Sequence, residues 1–193
     1  MRLKMKDFVL LALLTALYII VYFVAMMIIS LMGPFGHAIS PGVCGLLSGA
    51  ILIFISRKIG KMWQFTLMEL IIMGVFALMG AGYLPWFITS MIGAVLADVI
   101  ASTSSKPSVL KVAIASGLIH VGNALGGIIP ACFFAEQYMN EWIARGQKPD
   151  QMLEMVKATQ GVMGILGTVI TFVLSVIGVY IGYSILKGHL KEN

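Results

Sequence analysis

Apolar residues run along this chain in six long stretches, near residues 8–32, 41–56, 63–81, 84–101, 112–134 and 161–186, with short polar or glycine- and proline-bearing breaks between them. A helix needs roughly 20 apolar residues to cross the hydrocarbon core of a bilayer, and each stretch meets or approaches that length. The runs are continuous rather than alternating, which excludes a β-barrel. An open sheet is excluded because lipid offers backbone groups no hydrogen-bond partner. The pattern predicts an all-α, polytopic membrane protein: six transmembrane helices in one integral membrane domain spanning residues 1–193. The first stretch follows Arg2, Lys4 and Lys6 as a signal peptide would. It runs too long and lacks a small-residue cleavage site, so it reads as a retained span.

Residues 136–160 break the apolar pattern. Two amphipathic pieces, Gln137 to Ala144 and Pro149 to Ala158, flank Arg145-Gly146-Gln147-Lys148. In the second, Met152, Met155 and Val156 share a helical face while Asp150, Glu154 and Lys157 point elsewhere. This segment is expected to cap one surface of the bundle. On the same side, Gly33 to Pro41 reads as a loop stiffened by its bracketing prolines, and Gly80 to Trp86 as a tight turn.

Composition and charge narrow the class. The chain is 60% hydrophobic and 11% charged, which leaves no soluble catalytic domain. Ten of the thirteen basic residues fall in four places: Arg2, Lys4 and Lys6; Arg57, Lys58 and Lys61; Lys106 and Lys111; Lys187 and Lys191. By the positive-inside rule those places are cytoplasmic, with both termini among them, in a multi-pass protein of the cell membrane. The net charge of +5 is thus a topology signal, and a nucleic-acid partner is not expected.

Few residues could carry chemistry. Cys44 and Cys132 read as small packing residues, with a disulfide between them left open by the sequence. Asp98 is expected to pair with basic groups at the inner surface. Glu69, about two turns into the third span, could serve function or reach the interface or a lysine. His120 and Asn123 share a face of the fifth span that continues to Gly127, and His37 lies in the stiff first loop. With Phe35, Tyr83, Trp86, Phe87 and Tyr138 they would form a mostly apolar small-molecule pocket with a few oriented polar contacts. Gly122, Gly126, Gly127 and Pro130 predict a bent or thinned fifth helix beside it. Neither Gly-x-Ser-x-Gly, His-Glu-x-x-His, a phosphate loop nor paired aspartates occur, so no enzyme is expected. Ala12 and Ala16, one turn apart on the first span, and Gly178 and Gly182 on the last would let helices approach closely.

The basic start leading to Ala12-x-x-x-Ala16, the run Gly93-Ala94-Val95-Leu96-Ala97-Asp98, the amphipathic segment, and the closing Gly178-x-x-x-Gly182 with Leu186-Lys187-Gly188-His189 together resemble a known family. It is the S components of energy-coupling factor (ECF) transporters, and within them the Trep-Strep membrane proteins. The resemblance covers nearly the whole chain. It implies capture of a micronutrient outside, through the fourth to sixth helices and a first-loop lid, followed by toppling against a membrane coupling subunit driven by two cytoplasmic ATPase subunits. It also implies that Ala12 and Ala16 dock on that coupling subunit. No resident cofactor or metal site is implied. The solute would be a vitamin or its precursor, a tetrapyrrole such as haem held by His37, His120 and methionines, or a metal ion or other small molecule. The pocket motifs for riboflavin, thiamine or biotin are not visible. The other class of reading is an integral membrane enzyme or assembly factor with no transport role.

Overall fold

A computed structural model describes residues 3–102 and 107–188. Arg2, Lys106, His189 and Lys191, used above, lie outside the described residues. Among the described residues eight helices follow in order: α1 Met5–Ser30, α2 Pro34–Lys58, α3 Gln64–Leu78, α4 Leu84–Ala101, α5 Val109–Phe133, α6 Ala135–Ala144, α7 Pro149–Thr159 and α8 Gly161–Leu186. No strand occurs among the described residues. Among the described residues five helices, α1, α2, α4, α5 and α8, are long and apolar enough to cross a membrane.

Two boundaries differ from the sequence reading. The expected loop from Gly33 to Pro41 is not a loop, because α2 begins at Pro34 and carries Pro41 within it. Proline is pre-organised for the first helical turn, where its missing N–H would have no partner anyway. The third apolar stretch, expected over 63–81, yields only the 15-residue α3. At 1.5 Å per residue that is about 22 Å, shorter than the other spans.

The helices alternate in direction, giving the bundle two ends. The basic end gathers the start of α1, where Asp7 pairs with Lys61, and the ends of α2 and α8 with the start of α5, where Ile53, Val112, Val179 and Leu186 pack together. The other end is capped by α6 and α7. There Tyr138, Met152 and Val156 are buried against Tyr83 and Ala131. Arg145 lies over the Trp142 ring at 5.1 Å, and donates from Nη1 to the Gly82 carbonyl at 2.7 Å. Gln160 donates to the Ala131 carbonyl at 2.7 Å. The cap is therefore tied to both the α3–α4 turn and the end of α5.

Small residues set the helix spacing. A Cβ on Gly49 would lie 2.0 Å from the Gly178 carbonyl carbon, and one on Gly182 would lie 2.4 Å from Ala50 N. Gly42 and Gly45 meet Thr171 and Ser175 in the same seam, so α2 and α8 touch backbone to backbone. Two glycines of α5 act likewise, while Gly127 borders open space at the capped end. Gly122 abuts Gly93 and the Thr89 carbonyl, Gly126 abuts the Trp86 backbone, and α5 runs unbroken through Pro130. By contrast Ala12 and Ala16 are exposed, on the face of α1 opposite buried Leu11, Thr15 and Tyr18.

Candidate functional site

A cavity of about 690 Å³ opens at the capped end. Its wall draws on α1 through α7: Tyr22 and Phe23 from α1, His37 and Ser40 from α2, Phe76 from α3, Trp86 from α4, Asn123 and Gly127 from α5, and Tyr138, Trp142, Gln151 and Met155 from the cap. The last span, α8, does not line it.

Several rings are fixed by one another. Tyr22 meets Phe76 edge-on at 5.0 Å, and Phe76 meets Trp86 edge-on at 5.6 Å. Trp86 donates its indole N–H to Asn123 Oδ1 at 2.9 Å, an oxygen that also accepts from Ser90 at 3.2 Å. Asn123 in turn donates to the Ile119 carbonyl at 3.0 Å. These bonds hold the Trp86 ring and the Asn123 amide in one orientation each. On the cap side, Tyr83 lies 5.5 Å from Tyr138 and 5.8 Å from Trp142. Burial pushes the Tyr138 phenol up to about 12, with Tyr83 adding to the shift. The Trp142 indole N–H is buried with no hydrogen-bond partner. An orphan donor in a cavity wall costs about 1–3 kcal/mol until something accepts from it.

Of the pocket residues expected from sequence, His37, Tyr83, Trp86, Asn123 and Tyr138 come together around this cavity, whereas Phe35, Phe87 and His120 do not line it. Phe35 is half-buried in the first turn of α2, and Phe87 packs against Trp86 at 5.3 Å. His120 is the larger departure. Its Nδ1 lies 2.7 Å from the Ser116 carbonyl, which can only accept, so Nδ1 carries the proton and Nε2 accepts from the Tyr18 hydroxyl at 2.9 Å. Both ring nitrogens are engaged inside the bundle, so His37 and His120 do not form a shared ligand pair. Among the described residues no group of three His, Cys, Asp or Glu is placed to hold a metal ion.

Tyr22, Phe76 and Trp142 escaped the sequence reading. Each belongs to a helix whose apolar residues look alike in one dimension, and only the crossing of α1 over α3 and the fold of α6 over Tyr83 give them a common neighbour.

The acidic residues also depart from expectation. Among the described residues Asp98 pairs with no basic group; it accepts from Phe65 N at 3.1 Å and from Thr66 N and Oγ1 at 2.8 and 2.7 Å. It thereby supplies from α4 the cap that α3 lacks at its own N-terminus. Glu69 reaches neither the interface nor a lysine, being fully buried with no hydrogen-bond partner on either oxygen. Cys44 and Cys132 are both free thiols, the first buried and the second exposed.

This bundle, closed at one end by a two-helix cap over an aromatic cavity, is the setting for the comparison with known proteins. The family model of hypothetical bacterial integral membrane proteins named Trep_Strep matches residues 5–192. The chain belongs to the Trep_Strep family. Neither a curated protein nor a solved structure matches it. Trep_Strep membership covers every helix described above and makes the chain an integral membrane protein.

Proposed function

We propose that this Trep_Strep protein is the substrate-binding S component of an ECF-type importer. In this reading the capped end faces outside and both termini face the cytoplasm. A vitamin-sized solute is captured in the cavity, and the loaded chain topples against a membrane coupling subunit powered by two cytoplasmic ATPase subunits. The observation that carries the reading is the cavity itself. Its volume of about 690 Å³ lies within the usual range for small-molecule sites. Its wall is mostly apolar, with seven aromatic rings and a few oriented polar groups.

The exposed Ala12 and Ala16 add to it. They leave a shallow strip on a helix that otherwise presents Phe8, Leu13, Leu17 and Ile20 to its surroundings. A coupling-subunit helix could approach closely along that strip. Of the candidate solutes, a vitamin or its precursor fits better than haem, because His120 is engaged with Tyr18 and Ser116 and leaves only His37 at the wall.

The test is assembly and uptake. Ala12→Trp with Ala16→Trp is expected to abolish co-purification of a coupling subunit and solute uptake, while the separate chain keeps the solute found with it by mass spectrometry. Assembly and uptake that survive both substitutions would remove α1 as the docking surface. A chain that carries no solute and no partner would favour an enzyme or assembly factor instead. A Soret absorbance band in the purified protein would mark haem as the cargo.

A further inference from the structure

Among the described residues, Glu69 is the acidic side chain of the bundle interior that nothing satisfies. Asp7 has Lys61, and Asp98 has the N-terminus of α3. Glu69 is 0% exposed, and neither of its oxygens has a hydrogen-bond partner. The polar groups within electrostatic reach come from three other helices. They are Tyr18 and Tyr22 of α1, Cys44 of α2 and Asn123 of α5, the last approaching without meeting hydrogen-bond geometry. None is a cation. A carboxylate at this depth is strongly disfavoured unless a positive group joins it.

The cavity lies directly above. Tyr22 and Asn123, both neighbours of Glu69, line its floor. So does Phe76, two helical turns and about 10 Å further along the same face of α3. The carboxyl thus sits one side-chain layer beneath the floor. The lining carries Glu154 and no lysine or arginine. Seven aromatic rings belong to that lining, and the electron-rich face of such a ring attracts cations.

We infer that Glu69 is the anionic end of the solute site, and that the solute is a nitrogenous cation whose N–H groups reach the carboxylate between Tyr22 and Asn123. The aromatic rings of the wall hold the flat apolar body of the solute. This inference rests on the cavity being the solute site, as proposed above.

Three probes of nearly one shape test it by calorimetry on the full chain in lipid nanodiscs: benzamidinium, benzamide and benzoate, which are positive, neutral and negative. Benzamidinium is expected to bind tightest and benzoate weakest. Glu69→Gln should lower the benzamidinium affinity about 10- to 100-fold, the loss of a charge-assisted hydrogen bond, and leave benzamide unchanged. Without probe, Glu69→Gln should unfold at a higher temperature than the unsubstituted chain, because a neutral amide replaces a bare buried carboxylate. A merely structural glutamate would produce no such opposition between stability and binding. Should Glu69→Gln not fold, Glu69→Asp keeps the charge at shorter reach, and should preserve the order of the three probes at reduced affinity. Equal benzamidinium affinity in the unsubstituted chain and Glu69→Gln overturns the inference, as does no binding of benzamidinium or binding of benzoate as tight as benzamidinium. A chain that assembles with its coupling subunit and imports solute, yet shows no charge preference among the probes, overturns this inference alone and leaves the transport reading standing.

Discussion

At the scale of single residues, polar side chains inside the bundle divide into those that complete one another and those left open. Tyr18 and His120 belong to the first kind. The Tyr18 hydroxyl is the partner of the His120 Nε2, and both side chains are almost wholly buried. Tyr18→Phe would leave that nitrogen without a donor, at a cost of about 1–3 kcal/mol. Thermal unfolding in detergent should show the loss. A normal unfolding midpoint in Tyr18→Phe would mean that another donor takes its place. His120 shows the limit of reading such residues from spacing. Three residues from Asn123, it is placed on the same face, and that is where the structure puts it. Yet Asn123 reaches the cavity and His120 does not, because α1 crosses the lower turn and brings Tyr18 against the ring.

At the scale of elements, glycine position decides which helices can touch. The α2–α8 seam has no room for a side chain at Gly49, where an added Cβ would meet the Gly178 backbone at 2.0 Å. Gly49→Ala is therefore expected to destabilise the bundle by about 1–3 kcal/mol or more, through forced separation of two helix backbones. Gly74 on α3 is the control, since a Cβ there meets nothing within 4 Å. Gly74→Ala should leave stability unchanged or raise it by up to about 1 kcal/mol, the helix-propensity difference. Equal unfolding temperatures for the two variants would deny that the seam is close-packed. Gly178 and Gly182 were legible as a close-approach pair, because four-residue spacing puts them on one helix face. Their counterparts Gly42, Gly45 and Gly49 were not, since a glycine in sequence carries no sign of its partner. The same silence left the glycines of α5 undivided in sequence: Gly122 is filled by α4, whereas Gly126 and Gly127 do border the cavity.

For the whole molecule, orientation is the property that charge placement predicts and that a bundle of alternating helices leaves to experiment. With Cys44 and Cys132 replaced by serine, single cysteines at Lys58 and Lys187 should react only with reagent inside the cell, and those at Gly82 and Gly146 only with reagent outside. Labelling of Gly146 from inside would invert the model and place the cavity toward the cytoplasm. Class and helix content followed from the sequence alone, because a continuous apolar run in lipid has one low-energy answer for its backbone, and that answer is local. The amphipathic faces of the cap were equally local, and so were the capping prolines once α2 was seen to start at Pro34. Which side chains share a neighbour was not local. Tyr22, Phe76 and Trp86 are more than fifty residues apart along the chain at the extremes, and their rings meet only because α1, α3 and α4 are packed side by side. The same packing buried Glu69 beyond every partner and brought Asp98 to the start of α3. Hydrophobic pattern fixes that a residue faces inward; only the helix crossings decide what it finds there.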